Sequence, residues 1–231
     1  MPLTKYILII LLGLVLAMFI VSFADYQEIY NNISRLFYET NGFLDTGSRN
    51  IVTAIYLDYR LFDSLFEAGI LLVAVSGINW ISQHGAEQEN AHFMLDKFKT
   101  PELFITFSRL VYPIMLLFGI YIVLNGHNSP GGGFQGGAVI ASALLILFYI
   151  DLKKSTNMRV IMTIEKWLFV SLVSISAISL LTRGVLFTNF IPLDADADLK
   201  SIYLIALNII IGAKVALGLT AVFIAFLKEG R

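Results

Sequence analysis

The 231-residue chain contains no cysteine. That excludes disulfides and thiolate-held iron–sulfur clusters within it, so any electron transfer belongs to another polypeptide. Charge is scarce too: Asp, Glu, Lys and Arg make up 14% of the residues, against roughly 25% in a soluble domain. A formal net charge of −1 offers no basic surface for nucleic acid. There is also no internal repeat of the inverted kind that builds single-chain transporters, which argues against this polypeptide transporting anything alone. What remains is apolar, with 57% hydrophobic residues and a mean hydropathy of +0.77.

Apolar runs near the roughly 20 residues that cross a bilayer fall at 4–24, 62–82, 103–124, 135–152, 161–182 and 201–227, the last containing a lysine. In lipid each must be helical, because unpaired backbone groups find no water there. The expected fold is an all-α, multi-pass membrane protein of about six transmembrane helices, two and then four. With the N-terminus inside, one side receives Lys5, Lys97, Lys99, Lys153, Lys154, Arg159, Lys166, Lys228 and Arg231. The other receives Arg35, Arg49, Arg60, Arg183 and Lys200. Cytoplasmic loops favour Lys and Arg, so both termini are expected in the cytoplasm and the protein in the cell membrane. The first run also has a signal-peptide reading, with Lys5 before the apolar core and Ser22-Phe23-Ala24 as a cleavage site, but Tyr6 to Val21 is long for that role.

A polar stretch divides the chain into residues 1–82 with two spans, a cytoplasmic linker over 83–101, and residues 102–231 with four. The linker holds His84 and His92 without other ligand-type clustering, and reads as a solvated connector rather than a metal site. Phe93, Met94, Leu95 and Phe98 among its charges suggest a short helix on the membrane surface.

Charges inside spans mark function or pairing. Lys214 lies deep in "LIALNIIIGAKVALGLTAVFIAF", about 20 Å from the outer end at 1.5 Å per residue. It reads either as a proton relay, since a desolvated lysine changes protonation readily, or as an assembly residue paired to a carboxylate of a neighbouring subunit. Gly212 and Ala216 on the same run invite close approach of another helix. In "LDYRLFDSLFEAGILLVAVSG", Asp58, Arg60, Asp63 and Glu67 descend from the outside. Asp63 and Glu67 share a helical face, so their repulsion favours a proton or a cation at a channel mouth. The alternative is an acidic patch, with Arg60 neutralising Asp58 or Asp63. Glu67 and Lys214 differ in depth by roughly 12 Å at helical rise and are not expected to touch. Each is expected to find its partner outside this chain. Arg109, two turns from the inner end of its run, reads as snorkelling or as holding lipid phosphate.

The stretch "GHNSPGGGFQGG", Gly126 to Gly137, carries six of the 17 glycines. No strand precedes it and it has no lysine, so a phosphate cradle is not expected. Pro130 is expected to stop the third span, Gly131, Gly132 and Gly133 to allow positive φ, and the fourth span to start near Phe134. Gly136 and Gly137 leave that start bare for another helix to press on. His127 reads as a group titrating near neutral pH or as a loop anchor.

The same stretch keeps the pattern G-H-x-x-P-G-G-G-F-x-G-G and closely resembles the MnhB/MrpB domain. That is the B-type component of Mrp-type multisubunit sodium/proton antiporters, found also in membrane-bound hydrogenases. The four spans of 103–227 match its layout. "IVTAIYLDYRLFDSLFEAGIL" resembles the end of the antiporter's A-type component, the E-like piece, whose pattern is approximately D-F-R-x-F-D-T-x-G-E. Asp58, Arg60, Asp63 and Glu67 match it; Tyr59, Ser64 and Phe66 depart from it. The resemblance implies a non-catalytic ion-path subunit with no cofactor of its own, Na+ and H+ as transported ions, and the family's membrane glutamate at Glu67. It implies A/D-like, C-like and E/F/G-like partner subunits within membrane lipid. An E-like piece that follows a single helix and runs into the B-like part resembles the hydrogenase, sulfane reductase and formate hydrogenlyase branch, with a hydrogenase-type arm. The other class of function is a self-contained channel or carrier.

Overall fold

In the computed structural model of the chain, residues 13–14, 17, 29–84, 101–150, 157–184, 187–192 and 194–229 are described, and every regular element among them is helical. Helix α1 spans Ile29–Thr46 and the short α2 spans Ile51–Ala54, running into a π-helical turn at Ile55–Tyr59. Then follow α3 Leu61–His84, α4 Glu102–Asn125, α5 Gly133–Ile150, α6 Met158–Ala177, α7 Ser179–Arg183 and α8 Ala197–Glu229. The chain forms two compact units, residues 1–40 and 41–231. In the first, the helical residues 29–40 carry an Arg35–Glu39 ion pair one turn apart.

Local chemistry explains the ends of these helices. Asn50 and Asn157 are N-caps whose side chains accept from the backbone N–H two residues on, Val52 and Arg159, satisfying donors that a helix start leaves free. Gly184 ends α7 in the left-handed conformation, φ +69°, which costs a glycine little. Within the helices, Ser142, Ser174 and Ser176 return their hydroxyls to carbonyls four residues back, so these polar groups need no water.

Among the described residues, four helices are long and apolar enough to cross a membrane: Leu61–Ser82, Glu102–Asn125, Met158–Thr182 and Ala197–Phe226. A fifth, Gly133–Phe148, is apolar but shorter. These five coincide with the five apolar runs from residue 62 onward; the run at 4–24 lies almost entirely outside the described residues, as do 85–100 of the linker and its expected surface helix. Residues 29–46 and 51–59, expected only as an outer segment, are helical.

Helix α8 is the axis of the second unit. Its span is 56% buried, against 17–28% for the other three, and it packs on α5, α6 and α3, while α4 packs on α5. Leu57, Leu61, Leu65, Ala68, Leu172, Leu204, Leu207 and Ile211 form one buried cluster around it. Lipid tails are as apolar as these side chains, so close packing rather than water exclusion decides which helices meet. Small residues govern that closeness at the glycine-rich stretch.

Candidate functional site

The glycine-rich stretch is a clamped turn between α4 and α5. Helix α4 stops at Asn125, five residues before Pro130, with Gly126 as a C-cap in right-handed helical conformation, so the proline does not set its end. Thr53 Oγ1 and Asn50 Nδ2 donate to Gly126 O at 2.6 and 2.8 Å. Asn50 Nδ2 also reaches Ser129 O at 2.8 Å, and Ser48 Oγ and Asn50 N donate to His127 O at 2.8 and 3.0 Å. The carbonyls that a turn leaves free are thus taken by residues 48–53. Gly131 and Gly132 have φ of +146° and +148°, a region that side chains rarely enter. At Gly132 an added Cβ would also overlap the Tyr56 hydroxyl.

Helix α5 starts at Gly133, one residue before the expected Phe134, and its cap comes from a distant helix. Asn208 Oδ1 accepts from Gly133 N at 2.7 Å and from the Tyr56 hydroxyl at 3.0 Å. Burial raises the Tyr56 pKa above its ordinary value, which keeps the phenol a donor. From there α5 runs between two backbones. A Cβ at Gly133 would lie 2.7 Å from Asn208 O, at Gly137 2.6 Å from Gly212 O, and at Gly136 2.8 Å from Gly119 O. The bare helix start foreseen at Gly136 and Gly137 is filled by α4 and α8 of the same chain. His127 is buried; its Nε2 meets Asn128 Nδ2 at 2.8 Å and no partner reaches Nδ1 among the described residues. Its backbone carbonyl accepts two hydrogen bonds, which tie the loop at this position.

The acidic residues divide in two. Asp58, in the π-helical turn, is buried and accepts from Asn189 Nδ2 at 2.6 Å. Arg60 pairs with Asp63 at 2.6 Å, both well exposed; the arginine therefore neutralises Asp63 and not Asp58. Glu67, one turn on, is exposed on α3 and has no ion pair or hydrogen bond among the described residues.

For Lys214 the expectation of a partner outside this chain fails. Its Nζ lies 2.6 Å from Glu165 Oε1, with side-chain exposures of 0% and 2%, and 5.7 Å from the centre of the Phe169 ring. The partner is a carboxylate of α6 in this chain. Its signal in the sequence was available: Glu165 stands in the run 161–182, and a carboxylate in one membrane helix calls for a cation on another. Asn208, Asn189 and Lys200 were also missed. Lys200, assigned to the outer loop, is 2% exposed and donates to Leu44 O at 2.9 Å. Single polar residues with non-local partners carry no periodic signal.

A family model for a domain related to the MnhB subunit of Na+/H+ antiporters matches residues 103–221, more than half of the chain. The B-type component of the Na+/H+ antiporter of Bacillus subtilis is 49% identical over 57 residues, 24% of this chain and 40% of that protein. The chain spans less than half the length of the curated relatives it matches. Among solved structures, a chain of the membrane-bound sulfane sulfur reductase, an archaeal respiratory membrane complex, matches with a TM-score of 0.69 and 24% identity, over 96% of this chain and 98% of that one. A chain of the Mrp complex from a Dietzia species matches with a TM-score of 0.60 and 20% identity, over 99% of this chain and 26% of that one. At these identities both are likenesses of fold, and they extend over the residues before 103.

Proposed function

Because this chain belongs to the family of domains related to the MnhB subunit of Na+/H+ antiporters, we propose that it serves as a membrane subunit of a multisubunit cation/proton antiporter module and contributes Glu67 to the ion path. The partners are antiporter-type subunits of the A/D-like, C-like and E/F/G-like kinds, and the cation is Na+. Residues 1–82 supply the E-like piece. The module belongs to an energy-converting complex with a redox arm of the hydrogenase or sulfane reductase kind. Support for such an arm comes from the fold likeness to the sulfane sulfur reductase chain and from the lack of cysteine, which leaves thiolate-bound redox centres to other subunits.

Glu67 carries this reading. It stands exposed in an apolar span without a partner among the described residues, and a charge facing acyl chains costs about 2.5–3.5 kcal/mol on insertion scales. Another subunit covers that face in the working protein. There the carboxylate can exchange a proton or hold a hard cation, which takes oxygen ligands. Arg60 draws off much of the charge of Asp63, so Asp63 tunes Glu67 without opposing it outright.

The test is solubilisation from native membranes in mild detergent. The chain is expected in one large particle with other hydrophobic subunits. Cation transport by the purified single chain in liposomes would instead make it a self-contained carrier.

A further inference from the structure

The buried ion pair plays no part in the path just described. We propose that Glu165 and Lys214 form a closed, charge-neutral clamp that fixes the register of α6 against α8, and that neither residue carries protons across the membrane. Only the transport readout below rests on the proposed antiporter function.

Lys214 is held by two successive turns of one helix. The carboxylate of Glu165 takes the ammonium group at 2.6 Å, and the ring of Phe169, four residues on, lies 5.7 Å from it. Side chains four apart share a face of α6. Sliding α8 past α6 by one residue would therefore lose both contacts at once. In a medium of low dielectric constant the cost of separating the charges is steep, so the pair fixes one alignment.

A relay needs a next station within hydrogen-bond reach among the described residues. Neither residue has another hydrogen bond or ion pair there. The groove of about 710 Å³ that reaches Phe169 is lined by apolar residues, among them Phe62, Leu65, Phe66 and Val173. Such walls do not order a water chain, which requires polar partners. The pair is also complete in itself, one charge of each sign with both side chains almost wholly enclosed.

The test compares four variants in the intact complex: Glu165→Gln, Lys214→Met, the double variant Glu165→Leu/Lys214→Met, and the exchange Glu165→Lys/Lys214→Glu. Breaking a buried pair leaves one charge uncompensated, whereas replacing both partners with apolar residues is often neutral. Assembled complex on a native gel should fall at least tenfold in each single variant. The double variant should return to within about twofold of wild type, with cation-dependent proton flux per assembled complex, and its pH profile, unchanged. Single variants that assemble like wild type would overturn the clamp, as would failure of both the double variant and the exchange to assemble. A double variant that assembles but loses tenfold or more of its flux would show that the pair carries protons. If the wild-type complex shows no cation-driven proton flux, the antiporter reading fails while the assembly results still decide the clamp.

Discussion

Gly137→Ala tests the packing that holds the glycine-rich turn in place. The added Cβ would sit 2.6 Å from Gly212 O, 2.8 Å from Val215 Cβ and 3.1 Å from Val215 Cγ1. The carbonyl is backbone in the middle of α8 and cannot rotate away. Carbon–oxygen contacts settle at about 3.3–3.6 Å, so α5 and α8 must part by roughly 0.7–1.0 Å. A gap of that size forfeits about a quarter to a half of the dispersion energy of the atoms in contact. Overpacking of this kind costs about 1–3 kcal/mol, or roughly 5- to 150-fold in the folded fraction. Gly69→Ala is the matched control, because its Cβ would meet Phe169 at an ordinary 3.6 Å. Both alanines gain the same helix propensity, about 0.8–1.0 kcal/mol, which cancels in the comparison. Thermal unfolding of the two purified complexes in one detergent should place Gly137→Ala below Gly69→Ala by the equivalent of that packing cost. Equal midpoints would refute the backbone-to-backbone contact.

Gly132→Ala should lower assembly through two causes, its φ of +148° and overlap with the Tyr56 hydroxyl. Adding Tyr56→Phe removes the overlapping oxygen and should recover part of the loss on a native gel, the backbone strain remaining. Asn208→Ala removes the distant cap of α5 and should cost about 0.5–2 kcal/mol of stability in the same thermal assay, the range for lost N-caps. For topology, a cysteine at Asn128 should react with an impermeant thiol reagent from outside and one at Glu102 from inside, as the distribution of basic residues predicts. The reverse pattern would invert the membrane orientation.

The membrane helices were legible because they rest on runs of apolar residues; 62–82 differs from the observed span by one residue at its start and 103–124 by one residue at each end. The glycine turn was legible because six glycines within 12 residues have few structural uses. Its partners were not. Asn50, Thr53 and Asn208 bond to it across 73 to 79 residues of sequence, Tyr56 bonds to Asn208 across 152, and nothing periodic links them. Reading Pro130 as the helix stop failed because α4 already ends at Asn125, with Gly126 as its C-cap, five residues before the proline. Lys214 is legible as a deep charge from its place in an apolar run, but which carboxylate meets it depends on how α6 packs on α8, which no local pattern encodes. The helices at 29–46 and 51–59 were not legible because their mixed polar sequence has no long apolar run.

The most direct measurement is sodium-dependent proton flux in vesicles carrying the complex with Glu67→Gln, with assembly checked on a native gel. Glutamine keeps the volume and hydrogen-bonding capacity of the side chain and removes only its titration and charge. The complex is expected to assemble at wild-type levels while sodium-driven proton movement is lost. Normal assembly together with normal flux would remove Glu67 from the ion path.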